Sequence, residues 1–369
     1  MKQADLDPRA RPAPRATVGV RDVARAAGVS TATVSRVMNT PERVSTGLRD
    51  RVEAATLKLG WVPDAVARAL TTRRSQAIGA VFPTLSHGDF ARATEALQDE
   101  LTRRGYTLLL ACSHYDLDQE HTLVRRFVER GVDGMVLVGN THHPDTMTLL
   151  ERHGVPFVNT FNHDAVTGAT SIGPDNRRAM HLLTRHLMSL GHRRFGMIAQ
   201  SIRNNDRATA RLQGVRDALA EAGLSIRPEH FAEGEWGIGE ARGLFRQIVR
   251  SKPWPTAIIC GNAYLAIGAM LEAMHRKIQV PGEISIVGYD DVELMQELPI
   301  PITTLRVRSD EVGRRAAIYL TGVIAGETTD LDLECEVEII VRSSSGSPPK
   351  SRSRSATQLT KHGRSSDQT

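Results

Sequence analysis

The sequence predicts a small all-α segment followed by a larger α/β body that divides into two lobes. The chain has 369 residues, which is too long for one compact core and suits a small domain plus a large one. Short helices are indicated over residues 18–59. From Ile78 onward, apolar runs of strand length alternate with amphipathic helices, as in sheets that helices cover.

The composition excludes several classes of protein. No run of eighteen apolar residues occurs, so a membrane partner is not expected, and the first 16 residues lack the apolar segment of a secretory signal. Cys112, Cys260 and Cys335 lie far apart, which argues against a disulfide framework or a metal site. We therefore expect a cytoplasmic protein that needs no metal and no cofactor.

The charge is unevenly distributed. Residues 1–77 hold 14 Lys and Arg against 7 Asp and Glu, and the tail from Ser343 holds 5 against 1. Because the formal net charge of the whole chain is only +5, the body between them is acidic. A basic head on an acidic body indicates that the head binds a polyanion, although uneven surface charge alone could give the same pattern.

The N-terminal region reads as a tail and three helices. Residues 1–16 are rich in Pro, Arg and Ala without an apolar period, which predicts disorder. A first helix ends at Gly28, Ser30 can cap a second, and a third begins after Ser45. We assign these helices to a domain of residues 17–62.

The body is expected to span residues 77–342, before a disordered basic tail of residues 343–369. Its predicted strands are 77–82, 106–111, 134–139, 156–160, 194–199, 256–261 and 283–290. Continuous apolar strands that alternate with helices predict parallel sheets, and this number of strands favours two lobes. A ligand would then bind between the lobes, beyond the carboxyl ends of the strands.

Residues 20–39 meet the physical demands of a helix–turn–helix. Gly28 allows the tight turn, and Val34 and Val37 can dock the second helix onto the first. The opposite side of that helix then exposes Thr31, Ala32, Ser35 and Arg36. Small polar side chains with one Arg fit the major groove of DNA, where Arg can bond guanine. A helical hairpin with a solvated Arg is the alternative.

The stretches DVARAAGVSTATVSRVMN and RDRVEAATLKLGWVPDAVARAL carry a resemblance to the lac repressor (LacI/GalR-type) family of bacterial regulators, which extends from Val18 to Arg342. The resemblance implies a periplasmic-binding-protein-like body. It also implies a hinge helix and linker over residues 63–76, with Leu70 wedged into the minor groove of the operator. Ordinary packing of Leu70 against the body is the alternative.

The same resemblance implies roles for side chains of the head. Thr31, Ala32 and Arg36 would read bases, and Arg36 is the strongest candidate because it can bond guanine in a bidentate manner. The phosphates would be held by Ser30, Asn39 and Arg43.

Six residues near the ends of predicted strands are candidates for a ligand site: Asp89, Phe161, Arg211, Trp236, Asn262 and Asp290. Carboxylate, amide and guanidinium groups around an aromatic face suit a compact ligand rich in hydroxyl groups, such as a sugar or sugar acid. Capping by Asp290, solvation of Arg211 or core packing of Trp236 are the alternatives.

The family resemblance supports these positions through the stretches SHGDFA, RLQGV, EGEW, CGNAYLAIGAM and IVGYDD. Three departures leave the class of ligand open. Ala263 replaces the usual Asp, Phe161-Asn162 stand where many members have Asp-Arg, and Asp89 takes a position that is often aromatic.

Together these features predict a DNA-binding transcription regulator, most simply a repressor on the nucleoid, whose affinity for the operator responds to an effector. A homodimer is expected because the tail has no leucine heptad for further assembly. No catalytic motif was found, so an enzyme is not expected. An exported sugar-binding protein or an enzyme on the same α/β body are the competing interpretations.

Overall fold

The computed structural model describes residues 18–62, 74–163, 170–327 and 333–350, without the side chains of Asn39 and Pro41. The chain divides into two compact units, residues 1–75 and 76–369. Most of the predicted hinge helix, including Leu70, lies outside the described residues.

The N-terminal unit contains three helices around a small apolar core. They are α1 (Val20–Ala27), α2 (Thr31–Asn39) and α3 (Thr46–Leu59). Gly28 ends α1 with a φ of +63°, a left-handed conformation that glycine adopts at little cost. Arg51 of α3 donates to the Ala27 carbonyl at 2.6 Å, which ties α3 to the turn between α1 and α2.

The first lobe of the body is built on a five-stranded parallel sheet with the strand order β2-β1-β3-β4-β5. Its elements in chain order are β1 (Ala77–Phe82), α4 (Gly88–Arg103), β2 (Thr107–Cys112), α5 (Leu117–Glu129), β3 (Gly134–Val138), α6 (Pro144–His153), β4 (Phe157–Thr160) and β5 (Ser171–Ile172). The predicted strands of this lobe differ from these bounds by one residue at most.

The second lobe is built on a six-stranded sheet with the order β11-β10-β9-β8-β6-β7. The elements that follow β5 are α7 (Asn176–Ser189), β6 (Phe195–Gln200), α8 (Asp206–Glu221), β7 (Phe231–Gly234), α9 (Ile238–Ile248), β8 (Ala257–Cys260), α10 (Ala263–His275), β9 (Ser285–Tyr289), α11 (Leu294–Glu297), β10 (Thr303–Val307), α12 (Ser309–Ala325) and β11 (Val337–Ile340). Only β11 runs antiparallel to its neighbour among the described strands.

The chain passes between the lobes three times within the described residues. It crosses from β5 to α7, returns from β10 to α12, and crosses again before β11. Helix α12 belongs to the first lobe, because Val312, Ala316 and Leu320 share the apolar core of α4 and β1. The predicted two-lobed α/β fold with helix-covered parallel sheets is confirmed.

The tail predicted from Ser343 onward begins too early. Ser344 is fully buried, and its hydroxyl donates to the Ile286 carbonyl and accepts from the Thr303 amide. The Gly346 carbonyl lies 2.8 Å from His192 Nε2. Residues 343–346 are therefore part of the second lobe, because they satisfy polar groups of its core.

None of the described helices combines the length and the apolar character that crossing a membrane requires. Cys112, Cys260 and Cys335 are free thiols, and the last two are buried.

Candidate functional site

One face of α2 is exposed and polar. Val34 and Val37 are 0% and 4% exposed in the core, which leaves the side chains of Thr31, Ala32, Ser35 and Arg36 on the solvent side. A helix with small side chains and one guanidinium is narrow enough for the major groove of DNA.

Ser30 and Arg43, which are expected to hold phosphates, lie at the start of α2 and after its end. Ser30 caps α2, because its hydroxyl oxygen accepts from the Thr33 amide at 3.1 Å. Arg43 ends the short 3₁₀ turn after α2 and is exposed. The side chain of Asn39 and all of Leu70 lie outside the described residues.

In the body, a narrow cavity of about 20 Å³ lies between the carboxyl ends of the two sheets. Four of the six predicted ligand residues line it, and they come from both lobes: Asp89, Phe161, Arg211 and Asp290. Phe161 and Asp290 follow β4 and β9, where both have a left-handed backbone with φ values of +63° and +69°. Asp89 and Arg211 instead lie within α4 and α8, not in loops that follow strands.

Asn262 and Trp236 do not line this cavity. Asn262 is fully buried and caps α10, because its Oδ1 accepts from the Leu265 amide at 2.9 Å. Its Nδ2 donates to Gln200, which does line the cavity, so Asn262 is connected to the cavity through Gln200. Trp236 packs edge-on against the ring of Tyr264 and contacts the ring of His87.

Six further residues that were not predicted from the sequence line the cavity: His87, Phe90, Tyr115, Gln200, Asn205 and Arg207. Two of them had a signal in their spacing. Arg207 lies one helical turn before Arg211, and His87 lies two residues before Asp89. The others are recognisable only once the lobes are folded together.

Two carboxyl groups from different lobes meet in the cavity beside a histidine. Burial, and then the nearby Asp290 carboxylate, raise the pKa of Asp89 to about 7, and burial also raises the pKa of Asp290. Burial lowers the pKa of His87 to about 4, so its ring is neutral at pH 7. The Asp89 Oδ2 and His87 Nδ1 atoms have no hydrogen-bond partner among the described residues.

These three side chains are arranged closely enough to hold one metal ion, since their ligand atoms lie within 4.8 Å of one another. The sequence analysis expected no metal. The same geometry suits one proton shared by two neighbouring carboxyl groups.

Arg211 is held rigidly at the opposite wall. Its Nε donates to Asn176 Oδ1 at 2.9 Å and its Nη1 donates to the Gly261 carbonyl at 2.8 Å. The guanidinium also stacks over the Tyr289 ring, with Cζ 3.8 Å from the ring centroid. A ligand therefore meets a guanidinium that is already oriented.

Direct hydrogen bonds join the lobes on both sides of the cavity. Asp206 Oδ2 of α8 accepts from the Asn140 amide at 2.8 Å and from Asn162 Nδ2 at 2.9 Å. On the other side, the Tyr264 hydroxyl accepts from the Gly88 amide and donates to the Ser86 carbonyl. These contacts hold the two lobes together next to the cavity.

Known proteins share this architecture. Residues 20–64 match the family of bacterial regulatory proteins called lacI, and residues 184–345 match the periplasmic binding protein-like domain. The HTH-type transcriptional repressor PurR of Proteus mirabilis (strain HI4320) is 30% identical over 333 residues, which cover 89% of this chain and 97% of PurR. The HTH-type transcriptional repressor CytR of Escherichia coli (strain K12) is 29% identical over 334 residues, with 89% and 97% covered.

Solved structures are similar over the same length. The lac repressor dimer bound to operator and the anti-inducer ONPF has a TM-score of 0.80 at 25% identity, over 90% of this chain and all of that one. A complex of the transcriptional regulator CelR with cellobiose has a TM-score of 0.67 at 26% identity, over 89% and 100%. With a helix–turn–helix ahead of two α/β lobes, and relatives that match it nearly end to end, this chain belongs to the lacI family of bacterial regulatory proteins and is a DNA-binding transcriptional regulator.

Proposed function

We propose that the protein binds operator DNA as a homodimer through α2, and that a small molecule in the cleft of the body controls this binding. The observation that carries the proposal is that one chain holds both an exposed, Arg-bearing helix face and a polar cavity between two lobes. The first suits base edges, and the second suits a small hydroxylated molecule.

The names of the relatives support the finer points. PurR and CytR are called repressors, one solved neighbour is a dimer on its operator, and another holds cellobiose. We infer a cytoplasmic repressor whose effector is a sugar or a sugar derivative. Two copies of α2 in a dimer would read the two halves of a pseudo-palindromic operator.

The residue roles follow from this proposal. Arg36 reads a guanine, Thr31 and Ala32 contact neighbouring bases, and Ser35 lies on the same face. Phosphates are bound by Ser30, Asn39 and Arg43, and Leu70 opens the minor groove. In the cleft, Asp89, Asp290 and Arg211 bond the effector while Phe161 covers its apolar face.

Binding rather than catalysis is the proposed role of the cleft. An enzyme on the same body is the competing function. The enzyme would be favoured if purified protein turned over a sugar or nucleotide and the Asp290→Ala variant lost this activity.

The test of DNA recognition compares Arg36→Ala with Arg25→Ala, which removes an exposed arginine from α1. The operator is first selected from genomic fragments, and each variant is then footprinted at physiological salt. A bidentate contact to guanine contributes about 1–3 kcal/mol, so Arg36→Ala should lose about 5- to 150-fold in affinity for the operator and keep its nonspecific binding. An unchanged footprint in Arg36→Ala would contradict the role of α2, and Arg25→Ala should keep its preference for the operator.

A further inference from the structure

We propose that Arg207 makes the cleft selective for an acidic effector, a compact polyhydroxy carboxylate whose carboxylate pairs with Arg207 while its hydroxyl groups bond Asp89 and Asp290. The inference rests on the proposed function, because it names the chemistry of the molecule that the cleft takes. It adds a charge requirement that a neutral sugar does not meet.

Arg207 is nearly completely buried. Its side chain lines the cavity and the residue is only 4% exposed. Among the described residues its hydrogen bonding is limited to one contact, from Nη1 to Asp206 Oδ1 at 3.1 Å. A guanidinium has five N–H groups, so most of those of Arg207 remain open to a ligand or to water in the cavity. A carboxylate in the cavity can accept two of them in parallel, which is the geometry that Arg favours.

The neighbour Asp206 cannot supply the missing partner. Its Oδ1 accepts from Arg207, and its Oδ2 accepts from Asn140 and Asn162 of the first lobe. Gly139 brings the first lobe onto the same guanidinium, since a Cβ at Gly139 would overlap Arg207 Nη1. Arg207 is thus positioned by Asp206 and by the close approach of Gly139. Its remaining N–H donors belong to the lining of the cavity.

The carboxyl groups of the cavity suit the other end of such a ligand. Asp89 Oδ2 is buried without a hydrogen-bond partner among the described residues, and Asp290 lies beside it. Hydroxyl groups donate to carboxylates, so these oxygens suit the hydroxylated end of a ligand. The rings of Phe90 and Phe161, 4.8 Å apart at their centroids, form an apolar wall for the carbon skeleton.

The balance of charge favours one negative charge on the ligand. Three guanidiniums and three carboxyl groups lie in or beside the cavity: Arg92, Arg207, Arg211, Asp89, Asp206 and Asp290. If the two facing carboxyl groups share one proton, the set keeps a single positive charge. A monoanion neutralises it, whereas a divalent cation at His87, Asp89 and Asp290 would have to form against the nearby guanidiniums.

The experiment uses matched pairs of probes that differ at one carbon. D-Glucuronate and D-galacturonate are compared with D-glucose and D-galactose, and D-gluconate serves as an open-chain acid. Binding to the full-length protein is measured by thermal shift and by calorimetry. We expect at least one of the acids to raise the melting temperature by mass action, and its neutral counterpart to have no effect at the same concentration.

Two variants of Arg207 and one control variant test its role. Arg207→Gln should weaken binding of the acid at least tenfold, and Arg207→Lys should bind with intermediate affinity because it keeps the charge but loses the bidentate geometry. Arg216→Gln is the control, since Arg216 is exposed on the same helix and does not line the cavity. Far-UV circular dichroism of each variant establishes that it is folded.

The inference is overturned if neutral sugars bind as well as the acids, if none of the acids binds, or if Arg207→Gln binds the acid with unchanged affinity. It is also overturned if ZnCl₂ alone raises the melting temperature and EDTA abolishes the effect of the acids, because a metal would then occupy the carboxyl cluster. DNA selectivity is measured separately. A protein that binds the acids but prefers no DNA fragment refutes the proposed regulator and leaves this inference intact.

Discussion

Asp89 and Asp290 come from different lobes, yet their carboxyl groups meet in one buried cavity. Asp290 could be expected there from the sequence, because parallel strands carry ligand residues at their carboxyl ends. The spacing of Arg207 and His87 pointed to this region. Their burial in the cavity could not be predicted, since it depends on how closely the two lobes approach. Asn262 shows the reverse limit, because its position in the sequence was informative while its side chain serves a helix cap.

The Asp89 carboxyl group makes stability depend on pH in a direction that can be checked. Its pKa in the folded protein is raised to about 7, so the folded state resists ionisation. The associated stability is fully present below the unfolded pKa of about 4 and is lost as the pH rises through about 7. Asp89→Asn removes this penalty, and should therefore be more stable relative to wild type at pH 8 than at pH 5, by on the order of 2 kcal/mol.

Thermal unfolding of both proteins at the two pH values measures this difference. A constant difference between the two proteins from pH 5 to pH 8 would show that Asp89 ionises as freely as a surface carboxylate. Ser309→Ala, which removes a hydroxyl donor to Asp89, is a useful second variant because it should raise the pKa of Asp89 further.

Among the elements, the buried strands could be predicted and several others could not. Strands such as β1, β3 and β8 are apolar along their length because helices cover both faces of the sheet. Strands β5, β7 and β11 lie at sheet edges and are short or half-exposed, so they carry no continuous apolar signal. In β10, Thr303 and Thr304 are buried but polar, and their hydroxyl groups bond the Arg342 and Asp290 carbonyls.

The segment after β11 provides the test at this scale. A chain that ends after Arg342 lacks Ser344 and Gly346, which bond Ile286, Thr303 and His192 in the second lobe. With about 1 kcal/mol for each net hydrogen bond, we expect a loss of about 3 kcal/mol or more in the free energy of unfolding. A chain that ends after Lys350 should unfold at the wild-type denaturant concentration. Equal midpoints for the two truncated chains would show that residues 343–346 contribute nothing.

The two lobes of the body are linked by three chain crossings and by side-chain bonds across the cleft. Their fold and their number could be predicted from the alternation of strands and helices. Their degree of closure could not, because it rests on a few polar contacts between residues distant in the chain. Asp206 illustrates this, since it contacts Asn140 and Asn162 of the other lobe.

Asp206→Ala tests how far these contacts hold the body closed. Removing the hydrogen bonds to this charged acceptor should shift the equilibrium between the closed and open forms of the body toward the open form, by about 1.5–3 kcal/mol. In the presence of a saturating effector, small-angle X-ray scattering should then show a larger radius of gyration for Asp206→Ala than for the wild type. Asp217→Ala, on the same helix but paired with Arg177, is the control and should scatter like the wild type. Identical scattering by all three proteins would mean that the effector and the apolar contacts close the cleft unaided.

The hydrogen bonds of Tyr264 to the backbone of Ser86 and Gly88 affect how long a ligand stays bound. Because this contact and the Asp206 contacts join the two lobes, the cleft opens to release a bound molecule only after they break. The lifetime of the complex is then governed by the frequency of these ruptures, in addition to the strength of the bonds to the molecule itself. A gene under such control would respond to a falling metabolite with a delay set by the protein, and short dips in concentration would pass unnoticed.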